Sequence, residues 1–113
     1  MAIIYKIFRA DEYAEFAALG RTMGAPIDLD DGYIHFSTGD QVEVTASKYF
    51  QGEMGLKLLG LESDSLGDAL RWEPSRGGAL FPHLYRELRV EDVLFVRDLP
   101  YEDGSHRFQG LLV

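Results

Sequence analysis

Apolar and polar positions along this chain fall into two rhythms, and each predicts its own elements. Ile3-Ile4-Tyr5-Lys6-Ile7-Phe8 is a β-branched and aromatic run, too apolar for a fully exposed strand. From Asp11 to Leu19 the spacing turns helical, with Tyr13, Phe16 and Ala17 on one face, acids at the start and Gly20 at the stop. Arg21 to Asp31 keeps neither rhythm and reads as a loop punctuated by Gly24 and Pro26. Asp30-Asp31-Gly32 is turn chemistry, and a strand follows in which Ile34 and Phe36 share one face while Tyr33, His35 and Ser37 share the other.

Thr38-Gly39-Asp40-Gln41 matches the Ser/Thr-x-x-Glu/Gln capping box, so a helix is expected from there to about Phe50. Its buried stripe would be Val42, Ala46, Tyr49 and Phe50, with Gly52 as its stop. Leu56 to Leu61, Ala69 to Glu73 and Val93 to Val96 read as strands, the second with Trp72 in the core and Arg71 and Glu73 on the opposite face. Phe81-Pro82-His83-Leu84-Tyr85 reads as a sheet edge or a bend, because proline cannot donate to a ladder. Asp103-Gly104 predicts a hairpin turn. The order predicts one α+β domain over residues 1–113, with small antiparallel or mixed sheets and two front helices on one side.

Composition narrows the function classes. A chain of 113 residues, 46% hydrophobic and 12% aromatic, can bury a core without staples. It has no cysteine, which excludes disulfides, thiol nucleophiles and thiolate metal sites and fits a reducing compartment. The N-terminal residues lack a basic region followed by a long apolar run, and no stretch approaches the ~20 apolar residues of a membrane span. A cytoplasmic protein is expected. Nineteen acids against eleven bases give a formal charge of −8, which repels polyanions, so nucleic acid is not an expected partner. Three histidines without paired ligand spacing offer no metal site, and nucleophile elbows, Walker loops and Gly-x-Gly-x-x-Gly are all absent.

Candidate chemistry therefore centres on His35, the one imidazole on an otherwise apolar strand that runs into a helix start. Exposed amide groups at such a start suit a phosphate or carboxylate, which adds Ser37, Thr38 and Gln41 to the candidate binding residues. His83 and Tyr85, in a segment dense with rings, can line a pocket for a planar ligand. Arg71 and Glu73 can grip a ligand or each other. The bland alternatives are a structural His35, a bent half-buried edge at 81–85 and a solvated Arg71–Glu73 pair.

The order Ile4-Tyr5-Lys6-Ile7, then Asp31-Gly32-Tyr33-Ile34-His35-Phe36-Ser37-Thr38 with Gln41, then Leu70-Arg71-Trp72-Glu73 and Phe81-Pro82-His83-Leu84-Tyr85 closely resembles the bacterial family known as domain of unknown function 952. That family is in turn distantly similar to the ADP-ribosyltransferase fold and its tRNA 2′-phosphotransferase branch. There a Leu-Tyr-His-Gly-Thr strand and a His-x-His-Leu-Ser strand frame bound NAD. His35-Phe36-Ser37 matches the second motif, whereas Lys6-Ile7-Phe8 follow Tyr5 where the first has its histidine, and Asp31, Gly32 and Tyr33 stand where the branch has an arginine. The resemblance implies an NAD-sized cleft between two small sheets. It implies NAD or an ADP-ribose-like anionic molecule as ligand and, in an active transferase, Glu73 or Glu87 as the carboxylate that polarises a ribose hydroxyl or steadies an oxocarbenium-like centre. The alternative is a non-catalytic domain that binds a protein partner through a residual cleft or the apolar edge at 81–85.

Overall fold

The computed structural model describes residues 2–112. Its elements in chain order are β1 (Ile3–Phe8), α1 (Ala10–Leu19), β2 (Arg21–Thr22), α2 (Pro26–Asp31), β3 (Ile34–His35), β4 (Ser37–Thr38) and α3 (Val42–Tyr49). The second half contains β5 (Leu56–Glu62), β6 (Leu70–Pro74), β7 (Leu80–Leu84), β8 (Leu88–Arg89), β9 (Val93–Leu99), β10 (Tyr101–Glu102) and β11 (Ser105–His106). The result is an α+β fold of several small sheets, and every strand pair in it is antiparallel. Among the described residues, no helix is long and apolar enough to cross a membrane.

A four-stranded sheet, ordered β4-β1-β5-β9, forms the middle layer. Its two central strands are apolar at successive positions because both faces are covered. Ile4, Phe8, Leu59 and Leu61 point into one hydrophobic cluster with Phe16 of α1, Ile34, Phe36, Leu84 and Leu88. Tyr5, Ile7, Leu56 and Leu58 point into the other, with Val42 and Ala46 of α3, Leu99 and Phe108. The expectation of helices on one side is thus corrected: α1 and α3 cover opposite faces, as the alternation within β1 requires.

Other expectations change as well. The segment read as a loop, residues 21–31, holds β2, which pairs with β8, and the six-residue helix α2. The strand read as continuous from Tyr33 divides at Phe36, with β3 entering a three-stranded sheet ordered β3-β7-β6 and β4 pairing with β1. The helix expected at Thr38 begins at Val42. Thr38 is committed to the ladder opposite Ile4, so only half of the capping box forms: the Thr38 amide donates to Gln41 Oε1 at 3.0 Å. Finally, 81–85 is not an edge, since β7 is the middle strand of its sheet. Pro82 is accommodated there because β3 stops pairing at His35, and the Pro82 carbonyl instead accepts the Phe36 amide at 2.9 Å. Trp72 and Tyr49, both expected in the core, are 41% and 53% exposed. The Asp103-Gly104 turn forms as expected between β10 and β11, with φ of 51° and 84° at its two central residues.

Candidate functional site

The three-stranded sheet places the candidate chemistry on one face. Ile34, Leu84 and Leu70 lie opposite one another across β3, β7 and β6 and turn toward the core. One residue along, His35, His83 and Arg71 form the next cross-strand row, so their side chains share the other face. Two residues further on each strand, Tyr33, Tyr85 and Glu73 extend the same face. Tyr33 is its centre: its ring centroid lies 4.2 Å from that of His83, 4.7 Å from that of His35 and 5.2 Å from that of Tyr85.

Beneath His35 lies a buried acid. Asp28, 1% exposed, accepts four hydrogen bonds. Its Oδ2 receives the Lys6 ammonium at 2.7 Å and the Ala25 amide at 2.8 Å, and its Oδ1 receives the His35 amide at 3.0 Å and faces His35 Nδ1 at 2.6 Å. Burial alone would raise the Asp28 carboxyl, but the bonds from His35 and Lys6 outweigh it and hold the group below its ordinary range. Lys6, 6% exposed, extends from β1 into the apolar cluster to reach it. Gly24, at φ +107°, makes room: a Cβ there would lie 2.4 Å from Asp28 Oδ2.

His35 itself is half-buried, and its second nitrogen, Nε2, lies 2.9 Å from Asp31 Oδ2. The ring thus lies between two carboxylates, facing Asp28 through Nδ1 and in close contact with Asp31 through Nε2. Such a ring can donate to an anion or pass a proton outward. On the neighbouring strands, His83 Nδ1 lies 2.8 Å from Glu73 Oε1, and the Tyr85 hydroxyl donates to the same oxygen at 2.7 Å. These contacts, Tyr85 first, keep the Glu73 carboxyl below its ordinary range. The Arg71 guanidinium lies over the Tyr85 ring, 5.0 Å from its centroid.

Of the residues singled out from sequence, the fold brings together His35, Arg71, Glu73, His83 and Tyr85. It takes the others elsewhere. Ser37 is buried, 4% exposed, with its hydroxyl 2.9 Å from that of Thr45 on α3. Thr38 is in β4, and Gln41 ties the start of α3 to β7 by donating to the Leu80 carbonyl at 2.8 Å. A helix start beside His35 is therefore corrected, since the helix that meets His35 is α2. Glu87 pairs with Arg89 at 3.0 Å, next to the Arg86–Asp92 ion pair. The bland reading of an Arg71–Glu73 pair is replaced by Glu73 bonding His83 and Tyr85.

Lys6, Asp28, Asp31 and Tyr33 were not among the residues singled out. Lys6 carries a legible signal, a charge at a core-facing position between Ile4 and Phe8, which calls for a buried partner. Two concavities also lie off this face or at its margin. The larger, about 630 Å3, is between α3 and the β10–β11 hairpin. The smaller, about 250 Å3, is bordered by Gln41, Val44, Lys48 and Phe81, the last of which lies two residues from His83 on the same side of β7.

Comparison with known proteins agrees with this architecture. The X-ray crystal structure of protein CC0527 from Caulobacter crescentus is similar with a TM-score of 0.91 and 46% sequence identity, over 95% of each chain. The solution NMR structure of CC0527 is similar with a TM-score of 0.86 and 47% identity, over 96% of this chain and 94% of that one. No curated protein matches the sequence. The model of a family described as protein of unknown function, DUF952, matches residues 7–96, and the chain belongs to that family.

Proposed function

We propose that the outer face of the β3-β7-β6 sheet binds a planar small molecule carrying an anionic group, of the NAD or ADP-ribose class, in a cytoplasmic protein. Arg71 supplies the cationic contact and His35 a ring nitrogen beside it, Tyr33 and Tyr85 a stacking surface, and His83 holds Glu73 in place. The observation that carries this reading is the cross-strand row of His35, His83 and Arg71, with Tyr33 packed over the two imidazoles. Ring faces with few polar atoms suit a base or nicotinamide, and a guanidinium with an imidazole beside them suits a phosphate. The formal charge of −8 does not oppose this, because distant charges are screened beyond ~8 Å while the row acts at contact range.

The distant resemblance to the ADP-ribosyltransferase fold makes NAD the first ligand to try. In such a transfer, Glu73 is the carboxylate that polarises a ribose hydroxyl or steadies positive charge as nicotinamide leaves, because it lies on the ligand face and is kept ionised. Glu87, committed to Arg89, is the weaker candidate. An NMR titration of the native chain and His35→Ala with NAD, ADP-ribose and AMP tests the reading. Expected are amide shifts confined to 33–36, 71–73 and 83–85 that vanish in the variant. No shifts at millimolar ligand, or shifts that survive in His35→Ala, overturn it.

A further inference from the structure

The two carboxylates on His35 are not equivalent. Asp28 has a fully buried side chain anchored by Lys6 and two backbone amides, whereas the side chain of Asp31 is 44% exposed and has one close ionic contact among the described residues, His35 Nε2 at 2.9 Å. Asp31 is also the last residue of α2, where the helix end's own partial negative charge opposes a carboxylate. One acid is built into the fold and the other is held at the surface by a single contact.

We infer that the position of the Asp31 carboxylate is the anionic subsite of the ligand: a carboxylate or phosphate oxygen of the bound molecule takes its place on His35 Nε2. This rests on the function proposed above and deepens it by naming which nitrogen receives the anion and which residue must yield. Asp31 is an internal competitor. The planar part of the ligand then falls beside Tyr33, whose ring adjoins both His35 and His83, and Asp28 holds the imidazole in the same orientation before and after the exchange. No covalent bond is made or broken in the exchange.

A competitor that occupies a site part of the time lowers apparent affinity by the fraction of time the site is free. Removing it tightens binding. The experiment compares the native chain with Asp31→Asn and Asp30→Asn, titrated separately with AMP, a ring with a phosphate, and nicotinate, a ring with a carboxylate, and followed by the amide shifts of Tyr33, His35 and Phe36. Asp30 lies at the same helix end and is exposed, so its variant removes an equal charge without releasing His35. Asp31→Asn is expected to bind at least one probe two- to tenfold more tightly than Asp30→Asn does, as an order of magnitude for releasing one half-exposed contact. The probe that responds identifies the anion class. If both variants gain equally, the effect is general electrostatics and the subsite is wrong, while ligand binding on this face stands. If neither probe shifts these amides in any of the three proteins, the subsite and the proposed function fall together.

Discussion

Lys6 is a cation among hydrocarbon, with Ile4 and Phe8 on either side of it along the strand. Burial disfavours its ammonium form, and Asp28 offsets that cost in part, so the Lys6 ammonium still lies below its ordinary range. Breaking a buried pair by removing one partner leaves an uncompensated charge and typically costs ~3–5 kcal/mol. Here His35 still faces Asp28, so Lys6→Met is expected to lose about 3 kcal/mol near neutral pH, measurable by urea unfolding. The pH dependence has a definite sign. Because native Asp28 lies below its ordinary value of 3.8, its contribution is complete above that value and is lost as pH falls through the lower native one. In Lys6→Met the carboxyl protonates more readily and its penalty disappears, so the gap between the two proteins narrows as pH falls into the acid range. A gap that stays constant with pH would show that Lys6 acts by packing alone. At this scale the charge of Lys6 among apolar neighbours is legible in the sequence although it was not singled out, whereas its partner lies 22 positions away in a segment with no pattern.

Among the elements, α2 shows why. It presents Ile27 and Leu29 to solvent, 54% and 61% exposed, and buries Asp28 between them. This is the reverse of the amphipathic rule by which helices are read. In β1 and β5, by contrast, apolar content and strand length agreed and the elements were legible, while β9 was legible in its apolar start but continues past Val96 to Leu99. The start of α3 was misplaced because Thr38-x-x-Gln41 has the composition of a cap, while the local ladder to β1 decided otherwise. The seating of α2 depends on Gly24. Gly24→Ala places a methyl against the Asp28 carboxylate on a backbone that disfavours side chains. It is expected to cost about 1–3 kcal/mol in thermal or urea melts and to abolish ligand-induced shifts at His35. Native-like melting with an unchanged titration would show that Asp28 does not depend on that space.

At the scale of the molecule, the α+β class was legible, but the sheet order was not, because it depends on long-range pairings such as β1 with β5 and β5 with β9. The row of His35, His83 and Arg71 was hidden for the same reason: three strands distant in sequence supply one residue each. The middle sheet is covered on both faces, whereas α2 lies at the periphery with two outward apolar residues. Native-state hydrogen exchange should follow this layering. Amides of Lys6, Ile7, Leu58 and Leu59 are expected to exchange only through global unfolding, and those of Leu29 and Gly32 through a smaller opening of lower free energy. Equal protection in the two sets would show that α2 and the sheet open as one unit.

The division of one strand at Phe36 has a mechanical consequence. His35 and Ser37 belong to different sheets; Ser37 is laddered to Tyr5, Tyr5 is bonded to Lys6, and Lys6 returns through Asp28 to His35. The path closes on itself like a hoop, with covalent, ladder and ionic links in series. Because the ring's anchor, Asp28, is itself fastened to that hoop, turning the imidazole means giving up its bond to a buried carboxylate, and on the proposed function a guest would have to conform to the ring rather than the reverse.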